Sequence, residues 1–388
     1  MKIFRTIRSV LCLAAVLLAF VSVCAAEEAF EVTEEGLDLT ETVSVHYPVL
    51  SGGTDPELTG QINGLIRERC RIGEYLTRTV QLLSGGSLKA EWKGGIPDGD
   101  VFSCAVSAEG AVETSRPAFV WTAVSVDLRD GHEIAFEELF TDGDAAREKI
   151  EAYLEENVAP DLSAHLLNAE LTPLPERFYL ERSGLTLLYP VEQLSTLSDR
   201  AGDIRIGWNV LRDELDLGED SIAARIGVQD MIALTEQGTE QLRETAAEGR
   251  LTDIPVRIGD SVQEMTDRYH QLTDWDGTED GRLFALEGGC FRGVYLMTDN
   301  LTKGWENSVV QGIRMDQGCL WGLCPGETPR SEWLAVMGEP DGTTEVSGDK
   351  AEANRLVPGT CDYYRCGDYL LQLYSDEDGT LFSIILAE

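Results

Sequence analysis

The sequence predicts an α+β fold: a mostly antiparallel sheet domain with two helices, followed by a tandem of helix-plus-antiparallel-meander modules. Three observations lead there. Short apolar runs with a period of two, bounded by Gly, Pro, Asn and Asp, recur along the chain. Few helical stretches stand between them, and these do not alternate regularly with the strands as a parallel α/β sheet requires. Finally, one order of elements occurs twice in the last third of the chain.

The first domain is predicted over 38–216. Val43 to Pro48 alternates as a strand, and Pro48 is expected to end it. Thr54-Asp55-Pro56-Glu57 reads as a helix start with Thr54 as cap. Ile62, Leu65, Ile66, Cys70, Leu76, Val80 and Leu83 then follow at helical spacing, which puts Cys70 on a buried stripe as an inert thiol. Pro117 to Leu128 is a long strand. Asp130-Gly131 is a hairpin turn, since both residues tolerate positive φ, and His132 to Phe136 is the predicted return strand. Asp144 is expected to cap a helix carrying Ile150, Tyr153, Leu154 and Val158, which Pro160 closes. Phe178 to Tyr189 reads as a second hairpin around Gly184, Asp203 to Trp208 as a last strand, and Val210 to Leu215 as a short closing helix. Residues 217–252, rich in Ala, Glu, Gln and Arg, form a helical connection.

The tandem occupies 253–388, with copies at about 253–315 and 316–388. The first opens at Ile258-Gly259-Asp260-Ser261, continues as a helix through Met265 and Tyr269, and then as strands at Leu283–Leu286, Phe291–Met297 and Ser308–Met315. The second opens at Pro325-Gly326-Glu327-Thr328, has a helix through Trp333 and Val336 that Gly338 to Asp341 breaks, and then strands at Cys361–Arg365, Tyr369–Tyr374 and Leu381–Leu386.

Residues 1–26 read as a secretory signal: Lys2, Arg5 and Arg8, an apolar run from Val10 to Val23, then Cys24-Ala25-Ala26 before Glu27. The run is short for a full bilayer span. Cleavage after Ala26 predicts an extracytoplasmic protein, secreted or associated with the cell envelope. Lipidation of Cys24 and retention as an uncleaved anchor are the alternatives, and contact with a membrane is expected only through this segment.

The chain carries 31 Lys+Arg against 69 Asp+Glu, a formal net charge of −38. Such a surface repels nucleic acid and anionic lipid and attracts cationic partners. Solubility or halotolerance alone is the simpler explanation of the same charge. With 43% apolar residues, the composition is that of a folding chain.

Outside the signal stand Cys70, Cys104, Cys290, Cys319, Cys324, Cys361 and Cys366, an odd number that leaves at least one thiol free or intermolecular. Cys319, Cys324, Cys361 and Cys366 are the candidate disulfide cysteines. The two pairs, each with four residues between, also allow a zinc knuckle, although Leu320, Trp321, Tyr363 and Tyr364 in the spacers look like core and strand. Asp274 to Asp280 echoes a calcium loop but has Ala285 where a bidentate Glu belongs; it and Asp376-Glu377-Asp378-Gly379 read better as hairpin turns. His46, His132, His165 and His270 form no HExxH pair, and there is no nucleophile elbow or phosphate-binding glycine loop. Pairs such as Glu137-Glu138 carry no information in so acidic a chain. The expectation is a non-enzyme without cofactor or metal.

Three stretches carry a resemblance. They are Val45 to Leu50 with Ile62-Asn63; Ala123 to Gly131 running into Phe136-Glu137-Glu138-Leu139-Phe140; and Phe178 to Leu185 followed by Ile204 to Ile206 and Leu211. Over about 45–215 the chain resembles the C-terminal extracytoplasmic domain of RsiV-type, lysozyme-responsive anti-sigma factors, a domain that also precedes the catalytic domain of some peptidoglycan deacetylases. Glu113 to Arg116 replaces a Gly-Gly-Ala-His-like segment of that family, and Val191 to Leu197 replaces a Tyr-rich one. Gly338 to Asp341, Tyr364 to Leu371 and Asp376 to Leu381 give the C-terminal part a pattern-level resemblance to tandem β-lactamase-inhibitor-protein and BamE/SmpA-like modules. The resemblance implies a binding protein that engages a protein or peptidoglycan-related partner, with a cationic lysozyme-like protein as candidate. The alternatives are an envelope assembly lipoprotein and a cell-wall hydrolase or deacetylase accessory.

Overall fold

The structure is a computed structural model, and it describes residues 29–82, 85–96, 99–111, 118–159, 166–196, 202–254, 256–263, 272–277, 281–286, 293–298 and 307–388. The signal segment, Cys24, Cys290, His165, His270, the 113–116 replacement and the helix through Met265 and Tyr269 lie outside the described residues.

The chain is α+β, and among the described residues its strand pairing is antiparallel with one exception. Strands β1 (Phe30–Thr40), β2 (Val43–Gly52), β3 (Ser87–Ile96), β4 (Val101–Ala111) and β5 (Ala118–Asp127) form a five-stranded sheet in sequence order. β2 and β3 are parallel, because helices α1 (Pro56–Arg69) and α2 (Ile72–Gln81) carry the chain back across one face. Pro48 does not end β2: it sits opposite Glu34 and the strand runs on to Gly52.

Asp55 rather than Thr54 caps α1, accepting from the N–H groups of Glu57 and Leu58, with Pro56 at the first helical position. The stripe expected from Ile62 to Leu83 breaks at Arg71, whose φ of 55° starts a second helix. The break shifts the phase, so Ile72, Tyr75 and Thr79 turn inward and Val80 is left 65% exposed. Cys70 is fully buried at the end of α1.

Asp130-Gly131 does make the turn after β5, with Gly131 at φ 78° and a virtual Cβ there only 2.8 Å from Leu58. The return strand is reduced to a single bridge, Val126 to Glu133, before a 3-10 turn at Phe136–Leu139. α3 (Gly143–Tyr153) is capped by Asp142, not Asp144, and runs on through a π turn at Leu154–Val158. A two-stranded pair joins β6 (Leu166–Ala169) to β9 (Leu194–Thr196), and a three-stranded sheet has the order β10 (Asp203–Gly207), β8 (Gly184–Leu188), β7 (Phe178–Leu180). Residues 208–214 form consecutive turns rather than the expected closing helix.

The 217–252 connection is helical: α4 (Ile222–Arg225), α5 (Val228–Ile232) and α6 (Glu236–Ala247). Its ends serve different cores. Ile222, Val228 and Met231 pack with Leu139, Ile150 and Trp208, whereas Leu242 and Ala246 pack with Trp333, Leu371 and Leu386.

The C-terminal meanders share one eight-stranded sheet, in the order β11 (Leu272–Gly277), β12 (Arg282–Leu286), β13 (Val294–Thr298), β14 (Val310–Met315), β18 (Leu381–Ala387), β17 (Tyr369–Asp376), β16 (Gly359–Cys366), β15 (Gly342–Val346). The last strands of the two meanders pair with each other, so each buries an edge that would otherwise be open. Of the stretch that echoed a calcium loop, Asp274 to Asp280, β11 takes up Asp274 to Gly277 as strand, and 278–280 lie outside the described residues. Gly338 to Asp341 leads into β15, and α7 (Arg330–Met337) and α8 (Gly348–Ala353) complete this part.

Candidate functional site

The long register of β1 on β2 sets opposite charges against each other. Gly36 lies opposite His46, and Glu34 and Asp38 flank it two residues either side. With a period of two, these side chains share one face. Glu34 Oε1 is 3.1 Å from His46 Nδ1, and Asp38 Oδ1 is 3.0 Å from Nε2. The bond to Asp38, opposed by burial and helped by Glu34, raises the pKa of His46 above its ordinary value. Only hydrogen fits at Gly36 beneath the ring, as a Cβ there would come within 2.6 Å of Nδ1. On the other face Glu35 accepts from the Tyr47 hydroxyl at 2.7 Å and from Arg67 at 3.4 Å.

His132 repeats this arrangement at the Asp-Gly turn. Its Nδ1 is 2.6 Å from Asp130 Oδ1 and its Nε2 is 3.0 Å from Glu138 Oε2. Asp130 chiefly, against burial and with Glu138, raises its pKa. Glu138 also accepts from the N–H of Ala135 at 2.7 Å, so one carboxylate ties the 3-10 turn to the hairpin. Glu137 instead bonds Arg147 at 2.7 Å. The structure therefore places neither glutamate of this pair with the other; each has its own partner, Arg147 for Glu137 and His132 for Glu138.

Asp127, Asp130 and His132 put one ligand atom each within 4.8 Å of one another. Asp127 is not open to a metal. Arg225 of α4 forks onto it, Nη1 to Oδ1 at 3.0 Å and Nη2 to Oδ2 at 2.5 Å, and both side chains are buried. Burial pushes the Asp127 carboxyl up, but Arg225 and Arg129 outweigh it and hold it below the ordinary value.

Of the candidate disulfide cysteines, Cys319 and Cys324 are bonded, with Cα atoms 4.2 Å apart. Cys361 and Cys366 are not: both are buried free thiols. They lie on one continuous strand an odd number of residues apart, so their side chains leave opposite faces of the sheet. That parity also prevents the two pairs from converging on a zinc ion. Cys70 and Cys104 are buried free thiols in the same core, and the neighbouring Cys70 together with burial pushes the Cys104 thiol up.

The Cys319–Cys324 loop holds Trp321, whose φ is 53°. Its ring packs against both the 96–232 core and the 242–386 core. A second link crosses the same seam. Asp253 Oδ2 accepts from the Ser183 N–H at 2.5 Å, in the turn between β7 and β8. Burial and the nearby Glu181 push the Asp253 carboxyl up to about 6, with Ser183 and Arg205 opposing. None of these seam residues carries a local sequence signal, since Asp253 and Ser183 meet across 70 positions.

No described protein family matches the sequence, and no curated protein is similar to it in sequence. Solved structures that superpose on part of the chain include two from the DUF3298 family. A DUF3298-family protein from Bacteroides fragilis superposes with a TM-score of 0.40 at 13% identity, over 52% of this chain and 98% of that one. One from Pseudomonas aeruginosa gives 0.35 at 13% identity, over 49% and 94%. A DUF4309-family protein from Bacillus subtilis, YjgB, gives 0.29 at 13% identity, over 39% and 97%.

Proposed function

We propose that this is an extracytoplasmic, envelope-associated binding protein that captures a cationic protein partner, with a lysozyme-class enzyme as the candidate. The observation that supports this reading is the charge along β1. Glu31, Glu34, Glu35, Asp38 and Glu41 lie on or beside this exposed strand. Among the described residues, the ion pairs of that row are with His46 and Arg67 alone. Even with His46 protonated the row stays negative, and Glu31 and Glu41 are exposed. β1 is also a sheet edge, so its outer backbone groups face away from β2. An acidic edge favours a basic partner both by steering its approach and by offering it a strand to pair with. Elsewhere cations are already committed to ion pairs, such as Arg69 to Glu133 and Arg71 to Glu74, which leaves the acidic excess to the surface.

The test is binding of the chain from residue 27 onward to lysozyme and to cytochrome c, an equally basic control, across a salt series. The expected result is that lysozyme binding survives about 150 mM salt, where exposed charges beyond ~8 Å are screened, and that cytochrome c binding does not. Glu31→Lys with Glu41→Lys should weaken it. Equal binding to both proteins removes the specific partner. Hydrolysis or deacetylation of peptidoglycan by the purified protein replaces the binding reading with an enzymatic one.

A further inference from the structure

The outer edge of β1 is open. Among the described residues the strand pairs with β2 alone, and no isolated bridge reaches it. Every second residue of an antiparallel edge strand turns its N–H and its C=O away from its neighbour, so β1 carries unused donors and acceptors along its 11 residues. The devices that normally close such an edge are missing. The strand is long, holds neither proline nor lysine, and departs from regular register only between Asp38 and Thr40. Its charges disfavour a second copy of the same strand. Paired antiparallel about Gly36, two β1 strands would set Glu34 against Asp38 and Glu31 against Glu41, like charges directly opposite each other. A basic strand meets the reverse situation at every one of these positions.

The middle of the strand specifies the partner more closely. Residues directly opposite on paired strands share a face, and so do positions two apart. A strand added outside β1 therefore sets one residue opposite Gly36 and, on the same face, two others opposite Glu34 and Asp38. These two acids share the single His46 ring, so that even with His46 protonated the group keeps a negative charge. Trp92 Nε1 donates to Glu34 Oε2 at 2.8 Å but adds no charge. The Glu34 and Asp38 side chains are 53% and 71% exposed, so cations on the added strand reach both carboxylates without opening the fold. At Gly36 the imidazole takes the place of a side chain: its Nδ1 lies 2.6 Å from where a Cβ would be, and the His46 side chain is 28% exposed. An aromatic ring opposite Gly36 packs against this imidazole, the kind of cover that suits an edge glycine, and is attracted to it when His46 is charged.

We infer that β1 takes up an extended basic segment of a partner protein as an added strand, recognising an aromatic residue opposite Gly36 with a Lys or Arg two positions to either side. The inference rests on the reading of this protein as one that captures a cationic partner; it adds which kind of segment is recognised and how it is held. Main-chain bonds to the open edge supply the affinity, and the alternating side chains supply the selectivity. Glu34 and Asp38 are symmetric about Gly36, so the motif fits in either strand direction.

The experiment titrates the full chain from residue 27 with the peptide acetyl-Thr-Lys-Thr-Tyr-Thr-Lys-Thr-amide and with an isomer that groups its lysines and tyrosine together, followed by NMR. Two further versions of the first peptide carry backbone N-methyl groups, one on the lysines and tyrosine, the other on the threonines that follow them. The alternating peptide is expected to bind about tenfold or more tightly than the grouped isomer. One N-methylated version should lose binding by about tenfold or more and the other keep it, because only alternate N–H groups face β1 and each lost set removes several hydrogen bonds. Amide hydrogen exchange should slow at alternate residues of β1 in the complex, which contact between surface charges alone does not cause. Equal binding of the two isomers, equal behaviour of the two methylated versions, or unchanged exchange in β1 overturns the inference. If no peptide binds while lysozyme does, strand addition is wrong and the cationic-partner reading survives; if neither binds, that reading fails with it.

Discussion

The indole Nε1 of Trp321 donates to Thr252 Oγ1 at 3.1 Å, fixing a ring that packs against two hydrophobic cores. The backbone on either side is fixed as well. The Trp321 N–H meets Met231 Sδ at 3.4 Å, and the Gly322 N–H donates to the Met231 carbonyl at 2.8 Å. Gly322, at φ 80°, must be glycine, because a Cβ there would collide with the backbone of Leu234. A five-residue step between bonded cysteines thus locks a tryptophan into the seam.

Trp321→Ala should therefore destabilise the protein by about 3 kcal/mol or more, the cost of removing a large aromatic from packed surroundings. Urea unfolding measures it. The specific expectation is a lower midpoint with the transition splitting in two as the cores uncouple. A loss below about 0.5 kcal/mol, typical of surface sites, would show that the ring does not join them.

Reduction of the Cys319–Cys324 bond should lower Tm, although the closed loop is short and the entropic gain from so small a ring is modest, roughly 2 kcal/mol. Differential scanning calorimetry with and without a thiol reductant reads this directly. Cys319→Ala with Cys324→Ala should reproduce the reduced Tm and abolish the response to reductant. If the double variant still responds, the stabilising bond lies elsewhere.

Arg225→Ala should cost about 3–5 kcal/mol, because it leaves the buried Asp127 carboxylate without its fork. Arg225→Met with Asp127→Asn should recover a good part of this loss by removing the stranded charge. Thermal melts of the three variants decide it; a double variant no better than the single one contradicts the account.

Stability should rise on mild acidification. His46 and His132 have pKa values raised above 6.5, and Asp253 is raised from 3.8 to about 6. A raised folded-state pKa means that the folded chain holds the proton more tightly. Each contribution is thus complete below the unfolded pKa and is lost as pH rises through the folded one. For Asp253 the loss falls between 3.8 and about 6. For the two histidines it begins above 6.5. Asp127 and Asp362 have the opposite sign: burial pushes each up, but Arg225 and Arg129 at Asp127, and Arg330 and Thr343 at Asp362, outweigh it, so their contributions hold above 3.8 and vanish as pH falls through the lowered values. Tm should consequently be higher near pH 5 than near pH 8, and fall again as pH drops below 3.8. His46→Asn with His132→Asn should flatten the slope above about pH 6.5. A Tm that climbs toward pH 8 would sink this assignment.

Much of the fold was legible where the signal is local. The Asp130-Gly131 turn, the hairpin around Gly184 and the strands from Tyr369 and Leu381 follow from short-range pattern and turn chemistry. Strands β1, β3 and β4 were not read, since Glu-rich β1 is exposed on both faces and Gly94-Gly95 interrupts the alternation of β3. The apolar stripe from Ile62 to Leu83 predicts one continuous helix, because spacing alone does not reveal a left-handed residue at Arg71. Among the cysteines, the pair spanning a turn met and the pair along a strand did not, a difference set by secondary structure rather than by spacing.

By itself the sequence determined the α+β class, the acidic surface and the positions of the tight turns, because composition, period-two alternation and glycine-bearing turns act within a few residues. Only the tertiary structure decided which charges meet. His46 finds Asp38 through strand register, Arg225 reaches Asp127 across 98 positions, and Asp253 meets Ser183 across the seam. The same holds for Asn209, whose partner Glu327 is 118 residues away. Burial turns a common surface residue into a committed one, and burial depends on which distant segments pack together, which no local pattern encodes.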